Sequence, residues 1–234
     1  MPASERRQPG LWVVVPAYDE ARTIETVVRG LREHAPRIVV VDDGSSDATG
    51  DLAFAAGATV LRHSVNLGQG AALQTGIDYA LSRNASYVCT FDADGQHDAD
   101  SIQAMRAALE SSGAEVALGS RFLQSRTRMP ALRRAVLQAA VRFTRLQTRL
   151  DVSDAHNGLR LFTRRAASAI RIEQPGMAHA SEILVAIARA KLSYVEVPTT
   201  IAYTEYSLGK GQSVTNSVKI LFDLVYAAWS RLIP

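Results

Sequence analysis

The sequence predicts an α/β fold: a Rossmann-like, mostly parallel central sheet flanked by helices. Two observations predict the class and a third locates its working edge. Short β-branched runs alternate with helical patterns through the first half of the chain, the signature of successive βαβ units. Those runs are almost wholly apolar, as expected of strands covered by helices on both faces. Polar residues then gather just beyond the strands' C-terminal ends, at 16–20, 42–46 and 92–98, the edge where open α/β sheets bind ligands.

The expected strands are 11–15, 37–42, 58–62, 87–92 and 115–118, with helices over 20–34, 46–56, 68–83 and 98–112. The second half is less regular. Leu132, Val136, Ala139, Phe143, Leu146 and Leu150 recur at helical spacing and predict a helix over 131–150, with a second stripe of Arg134, Arg142, Arg145 and Arg149 beside it. A loop-and-strand segment (154–164), a helix (180–190) and a strand (194–198) follow. Val214, Val218, Leu221, Val225, Trp229 and Leu232 mark an amphipathic terminal helix. The division expected is a flexible 1–10, one domain over 11–213 and the helix 214–234.

With 234 residues, 47% hydrophobic and 21% charged, the chain is long enough for one substantial core. The single cysteine, Cys89, sits in the apolar run Tyr-Val-Cys-Thr-Phe, reads as a small buried hydrophobe and fits a reducing compartment. Pro16 and Asp19 interrupt the only apolar stretch near the N-terminus, which argues against a signal peptide. No window approaches the roughly 18 apolar residues of a spanning helix. The expected location is therefore cytoplasmic, including the cytoplasmic face of a membrane. Net charge is only +3, but eight arginines and no acidic residue fall between Val116 and Leu150. That basic segment suits an anionic membrane surface or a solvated outer face. Nucleic acid is not expected, because no aromatic residues interleave the arginines.

Asp92-Ala93-Asp94 ends an apolar strand, so one carboxylate stands at the strand tip and the other in the turn beyond. Two carboxylates this close repel unless a cation or water separates them. A hard divalent ion, Mg²⁺ or Mn²⁺, takes such oxygens and keeps positions open for substrate phosphates. Gln96 adds an amide oxygen, and His97 or Asp98 completes the surroundings. Asp42-Asp43-Gly44-Ser45 repeats the arrangement at another strand end: Gly44 permits the turn, Ser46 or Asp47 caps the next helix, and Asp43 is left for a base or ribose. Pro16-Ala17-Tyr18-Asp19-Glu20 combines a nucleoside-facing Tyr18 and Glu20 with a helix start. Asn66-Leu67-Gly68-Gln69-Gly70 is a glycine-rich helix entry, yet it lacks the third glycine of a dinucleotide loop and follows the third strand.

Taken together and in order, VVVPAYDE, IVVVDDGSSD, RHSVNLGQGAAL, FDADGQHD, GSR and SDAHNGLRLF resemble family 2 glycosyltransferases, in the branch of dolichyl-phosphate mannose synthase, over about residues 11–213. The resemblance implies a GT-A fold, a nucleotide-sugar donor (UDP- or GDP-linked), inversion at the anomeric carbon and a polyprenyl or dolichyl phosphate acceptor. By position it implies that Pro16, Tyr18, Glu20 and Asp43, with Arg62 nearby, bind the nucleoside. It assigns Asp92, Asp94 and Gln96 to the metal and diphosphate, and Arg121 to a phosphate at the reaction centre. Asp154 orients the acceptor or acts as a base, a role for which Glu182 is the other candidate.

Two departures stand out. Relatives carry a lysine where Gln69 stands, and Tyr206 occupies the place of an expected arginine, so Lys210 is the cation expected to close over the diphosphate. The terminal helix suits a membrane interface, a membrane-protein partner, core packing or a homodimer contact. A saccharide hydroxyl is the alternative acceptor. A haloacid dehalogenase-like phosphatase is the alternative class, although it would place its aspartate pair on the first strand rather than the fourth.

Overall fold

The computed structural model describes residues 10–123, 138, 141–142, 144–174, 176 and 178–200. One seven-stranded sheet organises them, in the order β3-β2-β1-β4-β6-β5-β7. Its strands are β1 (Leu11–Ala17), β2 (Ile38–Asp42), β3 (Thr59–Arg62), β4 (Tyr87–Thr90), β5 (Val116–Ser120), β6 (Arg160–Thr163) and β7 (Tyr194–Pro198). The helices are α1 (Ile24–Arg32), α2 (Thr49–Ala55), α3 (Gln69–Ser82), α4 (Ser101–Ser112), α5 (Arg164–Ala169) and α6 (His179–Arg189).

The pleat of β1 shows why the strands are apolar throughout. Leu11, Val13 and Val15 join one core with Ile24, Val28 and Leu31 of α1, Ala53 of α2 and Ile102 and Met105 of α4. Trp12 and Val14 join the other, with Leu73 and Ile77 of α3, Ala166 of α5 and Ile183 and Leu184 of α6. Successive side chains point to opposite faces, so a strand between two helical layers has no face left for polar residues. On α3, Gly76 lets the helix approach the sheet closely, since a Cβ there would overlap Val14.

Six strands run parallel; β6 runs antiparallel to β4 and β5, between which it is inserted. The expected loop-and-strand segment is thus the reversed strand of the sheet, and it delivers residues 153–159 to the edge where β4 and β5 end. Two helices begin later than expected, at Ile24 and Thr49 rather than near 20 and 46. β4 ends at Thr90, leaving Asp92 beyond the strand. In the basic segment, residues 138, 141–142 and 144–148 are helical, and Val141, Thr144 and Thr148 face inward. Leu146, expected on the packed stripe, is instead 83% exposed, because its position points away from the layer that Val141 joins. Tyr206, Lys210 and the terminal helix fall outside the described residues, as do Arg126, Arg128, Arg133 and Arg134. Among the described residues no helix is long and apolar enough to cross a membrane.

Candidate active site

The delayed helix starts are where the site is built. Rather than continuing into α1, residues 19–21 bond to the loop after β2. Asp19 N–H donates to Ser45 Oγ (3.0 Å), Ser46 N–H to Asp19 Oδ1 (2.8 Å), Glu20 N–H to Thr49 Oγ1 (2.8 Å) and Ala21 N–H to Asp47 Oδ2 (3.1 Å). Short polar side chains offer the backbone this alternative to a helical turn. The result is a rigid double loop that holds Tyr18, 45% exposed, and the half-buried Glu20 at the tip of β1.

Asp42 and Asp43 are both buried at the tip of β2. Asp42 accepts Ser45 N–H (2.9 Å) and lies 3.4 Å from Arg62 Nε, while Arg62 also donates to the Ser45 carbonyl (2.9 Å). Asp43, expected to be left for the nucleoside, accepts Leu67 N–H (2.9 Å) and Gly68 N–H (2.7 Å), and its Oδ1 lies 2.6 Å from His63 Nδ1. Its carboxylate therefore fixes the glycine-rich turn against the sheet edge while lining the same cleft. That turn leads into Gln69, whose amide donates to Asp92 Oδ1 (3.2 Å).

A cleft of about 410 Å³ opens here. It is lined by Pro16, Ala17, Tyr18 and Glu20 from the end of β1, by Asp43, Asn66, Gly68 and Gln69 from the loops after β2 and β3, and by Asp92, Ala93 and Asp94 from the turn after β4. Of the expected donor-side residues, Arg62 and Gln96 are not in this lining; Gln96 donates its backbone N–H to Asp94 Oδ1 (3.0 Å).

The two carboxylates of the Asp-Ala-Asp turn differ in environment. Burial alone would raise the Asp92 carboxyl, but the His97 hydrogen bond at 2.9 Å and the charges of His97, His179 and Arg160 outweigh it, so its pKa lies below the ordinary value. Asp94 is pushed up to about 6 by burial first, then by Asp92, with Glu20 adding in the same direction. Beneath them, a Cβ at Gly158 would overlap the Asp92 carboxylate, so only glycine lets the loop before β6 pass there. The Gly158 carbonyl is held by Thr90 Oγ1 (2.7 Å).

The residues expected from the second half meet each other rather than the Asp-Ala-Asp turn. Arg121 Nε donates to Asp154 Oδ2 (2.6 Å), its backbone N–H to the same oxygen (3.2 Å), and its Nη2 to the His156 carbonyl (3.0 Å). Both side chains are buried. Asp154 Oδ1 accepts His156 N–H (3.1 Å). Behind them Glu196 of β7 accepts Ser153 N–H (2.7 Å) and Ser153 Oγ–H (3.0 Å). Glu182, the other base candidate, accepts the N–H groups of Glu173 (3.1 Å) and Gln174 (2.9 Å) and so pins a turn.

Sequence reasoning missed Arg160, His179 and Glu196. Arg160 is 2% exposed at the start of β6, and burial lowers its pKa to about 10. His156 and His179 are pushed down to about 4, chiefly by burial, and are neutral at neutral pH. The available signal was an arginine inside the apolar run Gly-Leu-Arg-Leu-Phe; the histidines and Glu196 gave none.

The donor set suits a hard divalent cation. Two carboxylates share one turn, and the carboxyl of Asp94 is held up partly by Asp92, a repulsion that a cation between them would relieve. Among the described residues no group of three or more His, Cys, Asp or Glu forms a closed cage, and Mg²⁺ characteristically takes one or two carboxylates and leaves positions for phosphate oxygens.

A mostly parallel sheet with a strand inserted in reverse, and an acidic cleft beyond its strand tips, defines a GT-A-like nucleotide-binding architecture. The chain belongs to glycosyl transferase family 2, whose model matches residues 12–171. An uncharacterized protein of Methanocaldococcus jannaschii is 35% identical over 95% of this chain and 93% of its own. The UDP-N-acetylglucosamine–dolichyl-phosphate N-acetylglucosaminyltransferase of Methanococcus voltae is 28% identical, covering 95% of this chain and 98% of its own. The polyprenol monophosphomannose synthase of Mycolicibacterium smegmatis is 28% identical over 93% and 86%. Among solved structures, glucosyl-3-phosphoglycerate synthase from Mycobacterium tuberculosis, in complex with Mn²⁺ and UDP-glucose, superposes with a TM-score of 0.69 at 18% identity, covering 96% of this chain and 80% of that one. The family and the fold are as the motifs implied, and the phosphatase alternative falls.

Proposed function

We propose that the protein is an inverting, divalent-metal-dependent glycosyltransferase that moves a sugar from a nucleotide-sugar donor, UDP- or GDP-linked, to a polyprenyl or dolichyl phosphate. The observation that carries this reading is the placement of Asp92 and Asp94 in the lining of one cleft together with residues from the tips of β1 and β2. Tyr18 and Glu20 face the nucleoside there, Asp43 shapes the opposite wall, and Arg62 braces the turn behind Asp42. Asp92 and Asp94, with Gln96 in the same turn, would hold Mg²⁺ or Mn²⁺. Bound there, the ion offsets the negative charge that grows on the departing diphosphate.

The acceptor follows from the two candidate bases. Asp154 is committed to Arg121 and to His156 N–H, and Glu182 to two backbone N–H groups. A saccharide hydroxyl needs a base to remove its proton, whereas a phosphate monoester is already anionic. Engaged carboxylates at this edge therefore favour the phosphate, with Asp154 and Arg121 orienting the acceptor as one buried unit. The names of the dolichyl-phosphate and polyprenol relatives support the same acceptor class.

Such an acceptor lies in a bilayer, so the proposal includes peripheral attachment at the cytoplasmic face. Leu146 stands exposed among Arg142, Arg145 and Arg149 on the basic segment, an apolar side chain in a cationic surface. Lys210 as a lid cation, and the terminal helix as a contact for membrane, membrane protein or a second copy, remain part of the proposal. Thermal unfolding with UDP or GDP, with and without Mn²⁺, tests the donor side. Sugar transfer to undecaprenyl phosphate in detergent tests the acceptor. Mn²⁺-dependent nucleotide stabilisation with transfer to the lipid phosphate is expected; transfer only to a free saccharide would replace the acceptor assignment.

A further inference from the structure

Arg160 is a buried guanidinium with few partners among the described residues. It begins β6, opposite Thr90 of β4 on one side and Leu118 of β5 on the other. Thr90 is two residues before Asp92 and Leu118 three before Arg121, so Arg160 stands on the strand between the donor side and the acceptor side. It is 2% exposed. The only hydrogen bond of its guanidinium among the described residues is a long one, from Nη2 to the Ala180 carbonyl at 3.4 Å. Asp92 and Asp154 favour its charged form through their fields but are not hydrogen-bonded to it.

A guanidinium has about five N–H donors in a planar fork, and a buried charge left so sparsely bonded is unfavourable unless a ligand completes it. Arg121, which the family pattern assigns to a phosphate, is in the opposite condition: its Nε and Nη2 already bind Asp154 and the His156 carbonyl. Both the Asp92 and the Asp154 carboxylate act on Arg160 through their fields, so its guanidinium lies within reach of both sides of the site.

We propose that Arg160 is a catalytic residue whose guanidinium binds an anionic phosphoryl oxygen at the junction of the donor and acceptor sides of the site. This rests on the transferase reading above. The oxygen belongs either to the departing diphosphate or to the acceptor's phosphate, and both present the same chemistry to a planar fork.

Arg160→Lys keeps the charge and removes the fork. The fold should persist by circular dichroism while turnover with undecaprenyl phosphate falls about 100-fold, as for loss of a preorganised donor to developing charge. Calorimetry with Mn²⁺ and UDP or GDP then separates the sources. A dissociation constant weakened about tenfold with an unchanged acceptor KM assigns the leaving diphosphate. A raised acceptor KM with unchanged nucleotide affinity assigns the acceptor phosphate. A folded Arg160→Lys enzyme with wild-type turnover, nucleotide affinity and acceptor KM overturns the role. Wild-type protein that binds neither nucleotide with Mn²⁺ overturns the donor reading instead. Should the variant not fold, the Arg160 Nε–H resonance of isotope-labelled wild-type protein is followed on adding Mg²⁺ and UDP, then a short-chain prenyl phosphate; a resonance that neither ligand moves refutes the contact.

Discussion

Replacing Asp94 by Asn should make the metal-free protein more stable and the metal-loaded protein less so. The Asp94 carboxyl is raised from 3.8 to about 6 by burial and by Asp92. At about 1.36 kcal/mol per pH unit, its ionised form is disfavoured on folding by about 3 kcal/mol. Asp94 is only partly buried, so solvent screening reduces this to about 1–2 kcal/mol. Because the folded pKa lies above the unfolded one, the destabilisation is absent below about pH 4, grows through about pH 6 and is complete above it. Asparagine removes the charge and retains an oxygen for the Gln96 N–H. At pH 8 with a chelator, Asp94→Asn should thus melt about 2–8 °C above wild type, at about 2–4 °C per kcal/mol for a chain of this size. With Mn²⁺ at a hundred times its dissociation constant, wild type gains about 2.7 kcal/mol that the variant lacks, and the order reverses. Differential scanning calorimetry at pH 4 and pH 8, with chelator and with Mn²⁺, measures all four states. An Asp94→Asn protein no more stable than wild type at pH 8, or one that still responds to Mn²⁺, would refute the reasoning.

The raised Asp94 pKa also sets a pH profile: a proton competes with the cation, so Mn²⁺ affinity should be flat above about pH 7 and fall about tenfold per pH unit below about 6, read by calorimetry in matched buffers. Gly158→Ala should drive a methyl into the Asp92 carboxylate; turnover is expected to fall about 100-fold, the scale of a 1 Å misplacement, with weakened Mn²⁺ binding, and wild-type metal affinity would show that the loop has room. Glu196→Ala strips the acceptor from Ser153 N–H and Oγ–H and should destabilise the protein by about 1–3 kcal/mol in denaturant titrations. Glu196→Gln, which still accepts through Oε1, should restore most of that loss; an equal loss in both variants would point to charge rather than to the hydrogen bonds.

The parallel strands were legible because burial on both faces leaves a continuous apolar run that little else in a sequence imitates. Leu11–Ala17 and Ile38–Asp42 are buried from end to end. Helix starts were less legible for a physical reason: Ser45 and Thr49 look like local caps, but their oxygens bind Asp19 and Glu20 across the loop, while Asp47 caps the Thr49 N–H with one oxygen and takes the Ala21 N–H across the loop with the other. Composition identifies a capping oxygen without saying whose N–H it takes. The same limit governed the second half of the site. Asp154 and Arg121 were each selected by motif, yet their pairing across 33 residues depends on which loops meet at one sheet edge, and the reversal of β6 that brings them together leaves no trace in the four residues Arg-Leu-Phe-Thr.

In the proposed function that reversal also explains how one sheet can host two substrates. Parallel strands β1, β2 and β4 end at a common edge and leave their acidic tips around the cleft. Another parallel strand beside β4 would have ended at the same edge with one more C-terminal tip. β6 instead starts at that edge, so the residues there are the loop that precedes it: Gly158 under Asp92, Asp154 against Arg121, and Arg160 as the strand's first residue. The charge accordingly changes at β6, from the carboxylates Glu20, Asp92 and Asp94 around the cleft to the Arg160 cation on the strand itself and the Arg121–Asp154 ion pair beyond. In the proposed function a metal-bound diphosphate occupies the first environment and the acceptor's phosphate lies toward the second. In the proposed reaction the anomeric carbon lies where they meet, beside Arg160, which is why loss of its fork should impair turnover more than it impairs folding.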